Sequence, residues 1–205
     1  MTASQTKRTR KSPEETREQI LRSAYRLFSS QGVAQVGIDT ILADSGCAKA
    51  SLYNNFPSKE ALALAFLERR EQEWTYGWLE EEVRRRSSDP KERLLAVFDV
   101  FGEWFKRRNF EGCPFVNILL ESEFNSPIHR AATGHLANIR ALLRGFAIDA
   151  GLQESDRFVQ AWHILMKGSI VAACEGNRNA ATEALAVAEI VLENWPKTPE
   201  VPNHS

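Results

Sequence analysis

Between Gly37 and Glu60 two short helical segments, 38–45 and 49–56, flank a turn at Gly46, and Pro57 stops the second. The second segment carries Lys49, Ser51, Tyr53 and Asn54 beside the small Ala50. Two short helices joined by a tight turn make the layout of a helix-turn-helix, whose second helix offers its N-terminal side chains to a DNA groove. This spacing fixes an α-helical head and makes double-stranded DNA the expected partner.

The remaining pattern is helical as well. Ser12-Pro13-Glu14-Glu15 supplies a cap, an N1 proline and an N3 carboxylate, and Ile20, Ala24, Leu27 and Phe28 then share one face up to Gly32. Ser58 caps a long helix expected over 59–86, a connector between head and body. Asp89-Pro90-Lys91-Glu92 repeats the capping arrangement before a helix with Leu94, Phe98, Phe101 and Phe105 on one face and Val97 and Trp104 adjoining. Breaks at Gly112-Cys113-Pro114, Asn125-Ser126-Pro127, Gly151 and Gly176-Asn177 delimit helices ending near Phe124, Ala150, Glu175 and Trp195. No alternating run of β-branched residues is bounded by hairpin turns. The expectation is an all-α chain of about nine helices. It comprises a disordered basic arm (1–11), a three-helix head (12–58), a helical effector-binding and dimerisation body (59–196) and a tail (197–205).

Composition narrows the class. Apolar residues make up 43% and charged residues 26% of 205 positions, with no apolar run long enough to span a bilayer and no apolar leader at the N-terminus. Three scattered cysteines (Cys47, Cys113, Cys174) form neither a disulfide nor a zinc framework, which points to a reducing cytoplasm. Net charge is −1, yet residues 1–60 hold nine Lys/Arg against six Asp/Glu, while residues 61–205 hold 17 against 21. A basic head on an acidic body presents a local positive face to phosphates. His129, His135 and His163 lack metal-ligand spacing, and neither a glycine-rich loop nor a nucleophile elbow occurs. No metal, cofactor or enzymatic activity is expected.

The sequence resembles the TetR family of bacterial transcriptional regulators over about Glu14–Trp74. The resemblance is carried by Thr16-Arg17-Glu18-Gln19-Ile20-Leu21, Leu27-Phe28, Gly32, Ile38, Ile41, Ser45-Gly46, Lys49, Leu52-Tyr53 and Phe56-Pro57-Ser58-Lys59-Glu60-Ala61-Leu62. Gly112-Cys113-Pro114-Phe115-Val116-Asn117 with Glu121 looks like a segment of one branch of that family. The resemblance implies a homodimer with two heads and a body that binds a small molecule. Its DNA contacts carry over onto Thr40, Lys49, Ala50, Ser51, Tyr53 and Asn54, with Lys59 matching a phosphate-contacting lysine. Gly37 and Ala48 stand where the family has hydroxyl caps, and Asn54 where it has His. The implied function is a ligand-responsive repressor released from a palindromic operator by a hydrophobic or aromatic effector. The competing reading is a helical ligand-sensing module that acts on a protein partner.

Two groups in the body are candidates for the effector. Trp74, Trp78, Phe98, Phe101, Trp104 and Phe105 form an aromatic stripe, either core or ligand wall. Cys113, Asn117 and Glu121 lie at i, i+4 and i+8, a spacing that gives one helical face a thiol, an amide and a carboxylate, to orient an effector or to tie that helix to its neighbours. Gly168, Ser169, Ala172 and Ala173, with Ile164 and Leu165, are small or apolar and make the helices at 155–175 and 180–195 the expected dimer surface.

Overall fold

The structure is a computed structural model that describes residues 11–198. Ten helical elements are α1 (Pro13–Gln31), α2 (Ile38–Ser45), α3 (Lys49–Asn55), α4 (Lys59–Arg70), α5 (Glu81–Arg86), α6 (Pro90–Phe105), α7 (Pro114–Glu121), α8 (Pro127–Asp149), α9 (Ser155–Cys174) and α10 (Ala180–Asn194). A π-helical stretch, Glu71–Glu80, joins α4 to α5, so α4, the stretch and α5 fill the span expected for one long helix. The all-α class holds. The only β-type pairing among the described residues is an isolated antiparallel bridge between Leu152 and Lys197. Lys7, Arg8 and Arg10 of the expected arm, and residues 199–205 of the tail, lie outside the described residues.

The chain divides into two compact units after Phe66. In the first, the Ser12 hydroxyl accepts from Glu15 N (3.1 Å) while the Glu15 carboxylate accepts from Ser12 N (2.8 Å), the reciprocal cap read from the sequence. Ile20, Ala24 and Phe28 are buried along α1, with Ile41 of α2 and Leu52 of α3 fully covered. Leu62, Ala63 and Phe66 are fully buried too. The Phe66 ring meets Tyr25 and Phe28 edge-on at 5.3 and 5.5 Å. Burying each such side chain contributes about 1.5–3 kcal/mol, so the first two turns of α4 belong energetically to the head. The unit therefore extends past residue 58. Hydrophobic periodicity alone does not show which unit a shared helix packs into.

Gly46 closes α2 in the left-handed region (φ 64°), its N–H bonded to Leu42 O at 2.9 Å. A side chain there would strain the turn that sets α3 against α2. Polar tethers hold the end of α2 on α1. The Ser23 hydroxyl donates to Asp44, which also pairs with Arg26, and Gln19 Nε2 donates to the Ser45 carbonyl. The Ser23 bond first, then Arg26, holds the Asp44 carboxyl below its usual range.

In the second unit α6 packs against α5, α8, α9 and α10, α7 lies on α8, and α9 lies on both α8 and α10. Asp89 caps α6 by accepting from Lys91 N and Glu92 N (2.7 and 3.1 Å), and Ser126 caps α8 by accepting from His129 N (3.3 Å). Leu94, Val97, Phe98, Val100, Phe101 and Trp104 form the buried face of α6. The π-helical stretch departs from the regular helix expected at 71–80. Within it a Cβ on Gly77 would stand 3.0 Å from the Gln72 carbonyl oxygen, so the wide turn is built around a residue without one. α7 ends at Glu121 rather than near Phe124, because Asn125 takes a left-handed φ of 62° and turns the chain into the α8 cap.

Candidate nucleic-acid interface and body sites

α3 is short, and its burial is one-sided. Leu52 is fully buried, and Phe56 just after it is 2% exposed with the Arg17 guanidinium 4.7 Å above its ring. With that anchor inward, Lys49, Ala50, Tyr53 and Asn54 are exposed and Ser51 is half-buried. The row the sequence singled out is thus one solvent-facing surface. Tyr53 is 43% exposed and stands outside the core that Leu52 joins. Asn55 is turned sideways, Nδ2 donating to Ser51 O at 2.8 Å, which fixes the backbone beneath the row.

Neither Gly37 nor Ala48 makes a side-chain cap bond, as their lack of a hydroxyl requires. Both have extended backbone (ψ 158° and 147°), the geometry a capping Ser or Thr would adopt. Thr40 is exposed on the first turn of α2. Lys59 is half-buried, its Nζ donates to Ala34 O at 3.2 Å, and burial lowers its pKa. Between the start of α1 and α3 lies an open groove of about 610 Å³ lined by Lys11, Pro13, Thr16, Ser51, Asn54 and Asn55. Thr16 and Asn55 were not assigned a role from sequence. Periodicity assigns faces within one helix, and these two meet only when α1 and α3 pack.

Residues 20–66 match the family model described as "Bacterial regulatory proteins, tetR family". The crystal structure of a TetR-family transcriptional regulator from Streptomyces coelicolor superposes with a TM-score of 0.81 at 25% identity, covering 89% of this chain and 91% of that one. Residues 20–66 are a TetR-family domain. An uncharacterized HTH-type transcriptional regulator of Mycobacterium tuberculosis is 35% identical over 82 residues, 38% of each chain. The match therefore spans little more than a third of that relative's length. The HTH-type transcriptional repressor NemR of Escherichia coli is 26% identical over 129 residues, 60% of this chain and 64% of NemR.

In the body the aromatic stripe is one continuous cluster. Trp74 lies 5.0 Å from Trp104 and 5.3 Å from Trp78, Phe101 lies 5.5 Å from Trp104, and Phe105 lies 5.6 Å from Phe101. Phe98 turns toward Trp162 at 5.5 Å. Trp74, Phe98, Phe101 and Trp104 are buried, whereas Trp78 and Phe105 are half-buried at its margin. The Trp74 and Trp162 indole nitrogens and the Thr75 hydroxyl are buried without a hydrogen-bond partner, an uncommon state for such groups.

The expected face of Cys113, Asn117 and Glu121 does not form. Cys113 precedes the first turn of α7, where its thiol is buried and its pKa pushed up by desolvation. α7 buries Phe115 and Ile118 instead, which turns Asn117 and Glu121 to solvent. The spacing argument presumed helical geometry through residue 113, and Pro114 is the first helical residue.

A buried polar cluster went unread in the sequence. Glu71 is 6% exposed, with Oε1 accepting from Asn138 Nδ2 at 2.8 Å and Oε2 standing 2.8 Å from His135 Nδ1. Its members lie 64 and 67 positions apart, beyond the reach of any local pattern.

Of the expected dimer residues, Ile164 (66% exposed) and Gly168 are exposed, and Leu165, Ala172 and Ala173 are half-buried. Ser169 is buried, its hydroxyl donating to Met166 O at 2.8 Å, and it therefore packs inside the protomer. Val171 on α9 and Val187 and Ile190 on α10 are exposed and extend the apolar strip. Among the described residues no helix is long and apolar enough to cross a membrane, and no group of three His, Cys, Asp or Glu side chains is placed to hold a metal ion.

Proposed function

We propose that this chain is a homodimeric, ligand-responsive transcriptional regulator acting in the cytoplasm, a repressor released from a palindromic operator by a small hydrophobic or aromatic effector. The observation that carries the DNA half is the α3 surface. Buried Leu52 anchors the helix, while Lys49, Ala50, Tyr53 and Asn54 are held outward beside Ser51. In a major groove Lys49 donates to phosphate or a guanine edge, Asn54 pairs with an adenine edge, Tyr53 donates to a phosphate oxygen, and Ala50 permits close approach. Thr40 and Lys59 bound the same surface as backbone contacts. The name of NemR, a repressor, supports the sign of regulation.

The apolar strip Ile164, Gly168 and Val171 with Val187 and Ile190 supports dimerisation through α9 and α10, a four-helix arrangement with two-fold symmetry. Such a dimer sets two heads on successive major grooves about 34–36 Å apart. An effector in the body shifts DNA affinity only by its differential affinity for the two head spacings, typically about 1–3 kcal/mol. The helical span 59–86 is the route for that coupling. No step in this scheme requires catalysis.

The test is operator affinity by fluorescence anisotropy, using DNA flanking the protein's own gene. Lys49→Ala and Tyr53→Phe each weaken specific binding about tenfold or more at moderate salt. Unchanged affinity in both variants removes α3 as the reading helix.

A further inference from the structure

At the C-terminal end of α6 a cavity of about 360 Å³ is lined by Phe105, Lys106, Arg107 and Arg178. Three of its four walls are cationic. None of the three cations is ion-paired to a carboxylate among the described residues, although the chain beyond residue 60 carries more acidic than basic side chains. The nearby acids are engaged elsewhere: Glu103 pairs with Arg86 at 2.7 Å, and Glu82, which feels the Arg107 charge, pairs with Arg85 at 2.6 Å. Across Lys106 a neighbouring cleft sets Asp99 and Glu103 against Arg86 and Lys106, so its charges balance, whereas the Phe105 side holds cations alone.

Helix polarity explains part of this. Basic residues just beyond α6 suit its negative end, which accounts for Lys106 and Arg107. It does not account for Arg178, which arrives from the turn between α9 and α10. The Arg107 guanidinium lies 4.6 Å from the centre of the Trp78 ring, so one of its faces is covered while its N–H edge keeps its donors. Phe105 supplies an aromatic wall, braced by Phe110 at 5.1 Å and Trp104 at 5.5 Å.

We infer that this cavity binds a small aromatic carboxylate, its ring against Phe105 and its carboxylate among Lys106, Arg107 and Arg178. Guanidinium forks match a carboxylate in bidentate fashion, and a cleft of one charge concentrates the opposite one. The volume lies near the low end of the roughly 300–1,000 Å³ range of small-molecule sites, which suits a single ring. A bare phosphate would leave the Phe105 wall unused. The inference rests on the ligand-responsive half of the proposed function, and its test is independent of DNA.

The test is calorimetric titration of the full chain with benzoate, benzyl alcohol and inorganic phosphate, on the wild type and on Arg178→Ala, Lys106→Ala and the double variant. All the replaced side chains are exposed, so the fold is retained, as circular dichroism checks. One benzoate binds per chain, benzyl alcohol and phosphate bind at least about tenfold more weakly, and each single variant loses about tenfold for benzoate. Absence of benzoate binding at millimolar concentration, phosphate binding as tight as benzoate, or full affinity in the double variant overturns the site. Operator binding on the same preparations separates the two readings. A chain that binds operator but not benzoate loses this site, and one that binds benzoate but not operator keeps it.

Discussion

Lys59 Nζ donates to the Ala34 carbonyl at 3.2 Å, tying the start of α4 to the turn between α1 and α2. The bond uses one of three ammonium protons and leaves two for a phosphate. The brace is thus compatible with the phosphate contact proposed for Lys59. Lys59→Met removes both: with one such contact in each of the two heads, the plot of log affinity against log salt becomes shallower by about 1.8, and each head loses about 1 kcal/mol. Anisotropy titrations across roughly 50–200 mM salt read the slope. An unchanged slope would leave Lys59 with the brace alone.

Ala48 offers a gain rather than a loss. Its extended backbone suits an N-cap, yet no side chain bonds the first amides of α3. Ala48→Ser supplies the hydroxyl and stabilises the head by about 0.5–2 kcal/mol, seen as a higher urea midpoint with the m-value unchanged. A midpoint equal to the wild type's would mean that α3 is held by Leu52 and Phe56 alone.

His163 makes stability depend on pH. It is 3% exposed, and burial, then Lys167 and Arg140, pull its pKa down to about 3, so its neutral Nδ1 faces Arg140 Nη1 at 3.5 Å. Below the ordinary histidine pKa near 6.5 the unfolded chain takes up a proton that the native state refuses. This contribution is complete above about pH 6.5 and is lost as pH falls toward 3, about 2 kcal/mol of it between pH 7 and 5. Urea unfolding at those two pH values shows the fall in the wild type and a smaller one in His163→Gln. Parallel falls in both would assign the pH dependence to other groups.

The strip on α9 and α10 gives a test of assembly. Ile164→Asp places a charge at its most exposed member and dissociates the dimer, halving the mass by light scattering at micromolar concentration while leaving helix content intact. Operator affinity falls with it, since a lone head loses the second half-site. A dimer that survives Ile164→Asp and the milder Ala172→Glu would have its interface elsewhere.

The helices were legible because their signals are local. Ser12, Ser58 and Asp89 cap where the sequence placed them, and the anchor Leu52 and the α3 surface follow from spacing within a few turns. Packing corrected the rest. The wide turn of 71–80, the outward rotation of Asn117 and Glu121 and the inward Ser169 each depend on what neighbouring helices bury.

By itself, the sequence determined an all-helical chain with a polar row on a short anchored helix, since caps, breakers and apolar periodicity act over a few residues. Only the tertiary structure decided that Phe66 serves the head, that Glu71 meets His135 and Asn138, and that Arg178 joins Lys106 and Arg107 around one cavity. Those meetings join residues tens of positions apart, and their energy comes from buried area and desolvated charge, quantities that exist only once helices are packed.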